Sequence, residues 1–276
     1  MKAVGFAYER PRHLADALGL LADPGIAVTV LAGGQSLGPM LNMRLAKPEL
    51  IVDITGLPEL KRSDRQADCL VLGACVTHAD IEDGRVDDVT NGAMRGVAAG
   101  IAYRAVRNRG TIGGSLTHAD PSADWVSTLA ALGAQVVIRS ASSTRTMAVE
   151  DYVTGALENA LQPGELLEAV RVPVLSPSAR WGYYKVCRKT GELPHAIGAV
   201  LLDRQRGVFR AVIGATERKP LVVADARMLC GGTDRLGAFN RASADAMLQA
   251  MGMNDPLDRQ IRSVALERAI KQAARE

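Results

Sequence analysis

Two glycine pairs constrain this chain more than any other feature. The first lies in Ala32-Gly33-Gly34-Gln35-Ser36, directly after the β-branched run Ala27-Val28-Thr29-Val30-Leu31; the second lies in Thr111-Ile112-Gly113-Gly114-Ser115. Adjacent glycines at a strand end let the backbone take positive φ and turn several N–H groups toward one point, and the hydroxyls of Ser36, Thr111 and Ser115 add donors. Neither segment has the lysine of a GK[ST] nucleotide loop, and neither is a GxGxxG fingerprint, so triphosphate and Rossmann sites are disfavoured. Taken singly, the first pair reads equally well as a tight strand-to-helix turn. Taken together, they are economically explained as two backbone cradles on one pyrophosphate.

The surroundings predict an alternating first unit. A strand is expected at Ala3–Ala7, a helix from Pro11 to Ala22 with Leu14, Ala17, Leu18 and Leu21 at helical spacing, and a strand at Leu50–Ile54. With Ala27–Leu31 and a short helix at Leu37–Leu45, this makes a β-α-β-α-β lobe. From Asp68 the texture changes. A strand is predicted at Cys69–Leu72, a cap at Thr77–Asp80, an Ala/Gly-rich helix at Asn91–Ala102, a helix at Pro121–Leu132 and strands at Ala134–Ile138 and Leu166–Val172, with Arg139–Arg145 a surface turn. Pro173–Ser178 suits a linker. The remainder reads as strands (Tyr183–Val186, Ala196–Leu202, Phe209–Ile213) followed by helices, the clearest at Asp258–Ala273.

Composition removes several function classes. The 276 residues are 47% hydrophobic and carry no apolar run approaching the roughly 18 residues of a spanning helix, so neither disorder nor a membrane span is expected. The first thirty residues lack a charged-then-apolar leader, and a cytoplasmic location is expected. Lys plus Arg number 33 against 30 Asp plus Glu and are interspersed, which leaves no basic stripe for nucleic acid. Cys69, Cys75, Cys187 and Cys230 form no CxxC pair, so the chain is expected to hold neither zinc nor an iron–sulfur cluster of its own. His13, His78, His118 and His195 are scattered, and no nucleophilic triad stands out.

Two charged residues deserve weighing. Asp124, in the first turn of the helix after the second glycine pair, either accepts hydrogen bonds from sugar or ribityl hydroxyls or merely complements the helix dipole. Beside two phosphate loops, the ligand role is preferred. Lys185 lies in a candidate strand, where most lysines are solvated surface charges.

Three segments carry a family resemblance: AGGQSLGPMLNMRLAKPELIVDI (Ala32–Ile54), VRNRGTIGGSLTHADPSADW (Val106–Trp125) and YYKVCRKTGEL (Tyr183–Leu193). With them the chain resembles the FAD-binding medium subunit of the molybdenum hydroxylases, the group that includes carbon monoxide dehydrogenase and xanthine dehydrogenase. The resemblance spans nearly the whole length. It implies an α+β fold: a two-lobed FAD-binding domain of vanillyl-alcohol-oxidase (PCMH) type over residues 1–175, with lobes at about 1–58 and 59–175, then a C-terminal α+β domain over 176–276 with an antiparallel sheet and helices. It also implies that Leu31, Ala32, Gly33, Gly34, Gln35, Ser36 and Leu37, with Thr111, Ile112, Gly113, Gly114 and Ser115, hold the FAD pyrophosphate. Asp124 would bind the sugar part, Lys185 would reach the flavin ring, and Ile101 and Leu167 would line it. Many relatives have an aromatic residue where this chain has Leu193, which implies a difference in flavin shielding.

What the resemblance implies about function is an oxidoreductase subunit that stores and passes electrons, with substrate chemistry on another chain. Partners would be a small subunit carrying [2Fe-2S] clusters and a large molybdopterin subunit, assembled as a dimer of heterotrimers, that is, a heterohexamer. The acceptor would be a quinone, a cytochrome or NAD. Protein residues in such a subunit position and tune the cofactor. Two alternatives stay in view. A self-sufficient FAD oxidoreductase would need its own base, and no plausible one is found; a flavin-free assembly module would be expected to have damaged loops, and both glycine pairs are intact.

Overall fold

The computed structural model describes residues 2–275. Its first unit runs β1 (Ala7–Glu9), α1 (Leu14–Leu21), β2 (Val28–Leu31), α2 (Leu37–Asn42) and β3 (Leu50–Asp53). The three strands are parallel in the order β1-β3-β2. This is the predicted alternation, with the first strand starting later than expected because Ala7, opposite Leu50, is the first residue to find a partner. Ala17 and Leu18 of α1 pack on Leu50, Val52 and Ile54, so the helix closes one face of the small sheet.

The second unit contains β4 (Ser63–Arg65), β5 (Cys69–Gly73), the helices α3 (His78–Glu82), α4 (Ala93–Ala99), α5 (Arg104–Arg107), α6 (Ile112–His118) and α7 (Asp124–Leu132), then β6 (Gln135–Arg139), β7 (Thr144–Ala148), α8 (Val149–Tyr152), β8 (Val153–Gly155), β9 (Glu158–Asn159) and β10 (Leu166–Pro173). Its sheet is antiparallel, ordered β4-β5-β10-β6-β7. The cap expected at Thr77–Asp80 forms, and it is a reciprocal capping box between Thr77 and Asp80. Every residue of α7 is buried, and Gly133 ends it in the left-handed conformation.

The C-terminal unit is a four-stranded antiparallel sheet, β11 (Arg180–Val186), β12 (Ala196–Asp203), β13 (Val208–Gly214) and β14 (Leu221–Val223), followed by α9 (Arg241–Ala250) and α10 (Pro256–Arg275). Period-two alternation divides its side chains between two cores. Ala199, Leu201 and Val212 join the core that contains α7, whereas Val200, Leu202, Ala211 and Ile213 pack with Leu266, Ala269 and Ile270 of α10. Gly182 and Gly198 let α10 approach the sheet closely. A β-carbon at Gly182 would stand 2.7 Å from the carbonyl carbon of Ala269 and one at Gly198 2.6 Å from that of Ala265.

Two expectations need correction. Pro173–Ser178 is not a loose linker: Val174 N–H donates to Asp68, Leu175 N–H to Val89, and Ser176 donates through N–H (2.9 Å) and Oγ (2.6 Å) to the buried Asp203 carboxylate. Nor does the second glycine pair run as a loop toward the helix expected from Pro121, which begins at Asp124. Thr111 is itself a helix N-cap, so Ile112–Ser115 form the first turn of α6; the Asp120 side chain then accepts from Ser122 N–H to shape the turn before α7.

Candidate functional site

The two glycine segments meet. Gly33 is buried against the residues that lead into α6, and a β-carbon there would stand 2.7 Å from the Arg109 carbonyl carbon and 2.8 Å from Gly110 Cα. One at Gly114 would lie 3.7 Å from the Ala32 Cβ, and one at Gly113 2.7 Å from Ala74 Cα. Gly34 has φ +72°, the left-handed turn anticipated for a strand-end cradle. Parallel sheets present ligand sites at the carboxyl ends of their strands, where this turn after β2 lies.

Their hydrogen bonding is unequal, contrary to the symmetrical grip expected. Among the described residues, the N–H groups of Gly33, Gly34, Gln35 and Ser36 have no acceptor within the chain, although the Gly34 carbonyl accepts from Gly38 and the Gly33 carbonyl from Gln35 Nε2. In the second segment the amides are engaged. Ile112 N–H donates to Val76, Gly113 N–H to Ala74, Gly114 N–H to Thr111 Oγ1 at 3.0 Å and Ser115 N–H to the Thr111 carbonyl. The first turn therefore offers a row of free donors, and the second supplies a rigid wall with the half-buried Ser115 on it. Several unpaired amides in one turn can donate together to a single anionic acceptor.

A second cluster joins strand β11 to this unit. Alternation along β11 sends Trp181, Tyr183 and Lys185 to one face, where Trp181 and Tyr183 pack on the main core, while Tyr184 faces α10 and lies against Arg268. Lys185 Nζ donates to Oδ1 of Asp124 at 2.8 Å and to the Gly100 carbonyl at 2.8 Å. The Tyr183 hydroxyl donates to the same Asp124 Oδ1 at 2.6 Å. Burial first, then the neighbouring Asp124 charge, pushes the Tyr183 hydroxyl well above the ordinary tyrosine range, so it stays a donor.

Lys185 thus brings Asp124 and the Gly100–Ile101 corner together. Leu167 does not join them on open surface: it is 2% exposed, opposite Ile138 inside the second sheet, with its side chain in the core. Leu31 and Leu37 flank the first glycine turn, half-buried. Leu193 is 62% exposed.

Two supports escaped the sequence reading. Arg107 donates through Nη1 to the Ile101 carbonyl (3.0 Å) and through Nε to Glu82 (2.7 Å), pinning the segment that carries Ile101 and Arg109. His78 lies beneath Gly110. Its main-chain N–H donates to the Gly110 carbonyl, its side-chain Nδ1 accepts from Trp125 Nε1 at 2.9 Å, and burial pushes its pKa down to about 4, so the imidazole is neutral. Neither had a sequence signal beyond the residue type.

Known proteins resemble this chain over most of its length. Residues 4–175 match the family described as the FAD binding domain in molybdopterin dehydrogenase. The chain belongs to that family. It is 36% identical over 225 residues to the caffeine dehydrogenase subunit beta of Pseudomonas sp. (strain CBB1), covering 80% of this chain and 76% of that one. It is 34% identical over 231 residues to the carbon monoxide dehydrogenase medium chain of Afipia carboxidovorans, covering 83% and 80%. Among solved structures, it superposes on a chain of the reconstituted CO dehydrogenase from Oligotropha carboxidovorans with TM-score 0.88 at 30% identity, over 100% of this chain and 99% of that one. Membership makes the chain an FAD-binding subunit of the oxidoreductase class, of the medium-chain kind, with the mixed helix-and-sheet fold and antiparallel sheets of those relatives. No helix among the described residues is long and apolar enough to cross a membrane.

Proposed function

We propose that this chain is the electron-transfer subunit of a multi-subunit molybdenum hydroxylase, receiving electrons from [2Fe-2S] clusters on a small partner and passing them to a quinone, a cytochrome or NAD. The observation that carries the reading is the row of unengaged amides at Gly33–Ser36, in a turn whose Gly33 packs on the backbone that leads into α6. Residues 31–37 bind the diphosphate, with the wall of residues 111–115 completing the cradle. Asp124 accepts from cofactor hydroxyls, and Lys185, anchored on Gly100, presents its remaining ammonium proton to the ring. Ile101 covers the ring edge; Leu167 shapes the site through the core beneath it.

Bound there, FAD supplies a store for two electrons that is filled singly and emptied singly or in pairs. The protein's own contribution is to orient and to exclude water. Residues 1–175 form the FAD domain and 176–276 a domain that completes it through β11.

The names of the relatives, a dehydrogenase beta subunit and a CO dehydrogenase medium chain, support a chain that works as one subunit of several; the assembly proposed is a cytoplasmic heterohexamer, a dimer of heterotrimers with a small iron–sulfur and a large molybdopterin subunit. The test is affinity purification of the tagged chain from its own cells with metal analysis. The reading expects two co-purifying chains, one containing iron and one molybdenum, with flavin on the tagged chain. Recovery of the flavin-loaded chain alone, with neither metal, would contradict it.

A further inference from the structure

We infer that Tyr183 is a positioning residue for the cofactor: its hydroxyl and Lys185 together occupy Oδ1 of Asp124, leaving Oδ2 as the acceptor for a cofactor hydroxyl. The inference rests on the FAD reading above and adds to it a residue that lies outside the matched residues 4–175.

The two carboxylate oxygens of Asp124 are not equivalent. Oδ1 takes both donors, at 2.6 and 2.8 Å, whereas no protein donor reaches Oδ2 among the described residues. Asp124 is 7% exposed and is the first residue of α7, where the helix end favours its charge. A carboxylate accepts only, so Oδ2 selects a hydroxyl or amide donor and rejects an anion. Lys185 supplies the balancing charge.

Tyr183 is built to hold this arrangement rather than adapt to it. Its ring stacks on Trp181 at 6.4 Å with planes 5° apart, and its N–H donates to Gln272 Oε1 at 3.0 Å. Without the hydroxyl, the carboxylate is free to turn about its own axis and Lys185 alone no longer fixes which oxygen is presented. Preorganisation of this kind raises affinity without adding a contact to the ligand.

The experiment is a double-mutant cycle on the full chain, read by flavin fluorescence on titration with FAD. Tyr183→Phe keeps the ring stack, and the melting of the flavin-free variant checks the fold. Loss of one hydrogen bond to a charged group is expected to weaken FAD binding roughly tenfold or more. In an Asp124→Ala background, the same replacement is expected to change nothing further, because the group it orients is gone. Wild-type affinity in Tyr183→Phe, or an undiminished loss in the Asp124→Ala background, would overturn the inference while the FAD reading stood. Failure of the unaltered chain to bind FAD would overturn both, and retention of FAD by Gly34→Val would overturn the loop assignment alone.

Discussion

Gly33 rests against the main chain of Arg109, so that a β-carbon on it would stand 2.7 Å from that residue's carbonyl carbon. This contact joins the turn after β2 to the segment entering α6, and it makes the first glycine of the pair a packing residue. The second, Gly34, is instead a conformational one, at φ +72°.

The two glycines therefore fail differently. Gly33→Ala forces the lobes apart and is expected to cost about 1–3 kcal/mol by overpacking, together with loss of FAD. Gly38→Ala, where no atom lies within 4 Å of the added carbon, serves as the control. Thermal melting and flavin titration of the two variants check this; equal behaviour would remove the packing role.

His78 predicts a stability slope between two pH values. Its folded pKa is depressed from 6.5 to about 4, chiefly by burial, so the unfolded chain binds the proton first as pH falls. Stability is expected to be complete above pH 6.5, to decline below it and to level off near pH 4, by about 3 kcal/mol in all. Denaturant unfolding of His78→Gln across this window is expected to show the decline flattened.

Glu82 and Asp83 act at lower pH. Hydrogen bonds first from Arg107 hold Glu82 below its usual 4.5, and those first from Arg104 hold Asp83 at about 2. Depressed carboxylates contribute stability that is present above their unfolded values and lost as pH falls through the folded ones. Amide hydrogen exchange across residues 101–109 is expected to quicken as pH drops below 4.5 toward 2, after correction for the intrinsic rate. Glu82→Gln is expected to show faster exchange there already at neutral pH, with little change in α10.

Ser176 and Asp203 fasten the strap between the second and third sheets. Asp203 is fully buried and accepts from Ser176 N–H and Oγ and from Arg206 N–H. Asp203→Ala leaves those donors unpaired and is expected to destabilise by about 1–3 kcal/mol. Limited proteolysis would check it through new cleavage at residues 173–178.

Much of this arrangement was legible in the residues. The β-branched run into Gly33-Gly34 placed a strand and its turn, the Thr77 and Asp80 spacing placed a cap, and the unbroken apolar run Ala196–Leu202 placed a buried strand. Edge strands were not legible. Ser63–Arg65 is polar along its length, and Thr144–Ala148 begins inside a serine-rich turn, because an edge strand needs only one apolar face and here barely has one. The inequality of the two cradles was hidden as well, since it depends on Val76 and Ala74 offering carbonyls to Ile112 and Gly113 across long separations. Tyr183 left one trace: it shares strand parity with Lys185, two residues away, and so had to face the same side.

The most direct measurement compares FAD and riboflavin on the full chain by calorimetric titration, because riboflavin keeps the ring and the ribityl hydroxyls but has no diphosphate for the amides of Gly33–Ser36. The account predicts one FAD per chain and, with at least two charged hydrogen bonds missing, riboflavin bound on the order of 100-fold more weakly. Riboflavin bound as tightly as FAD would contradict it.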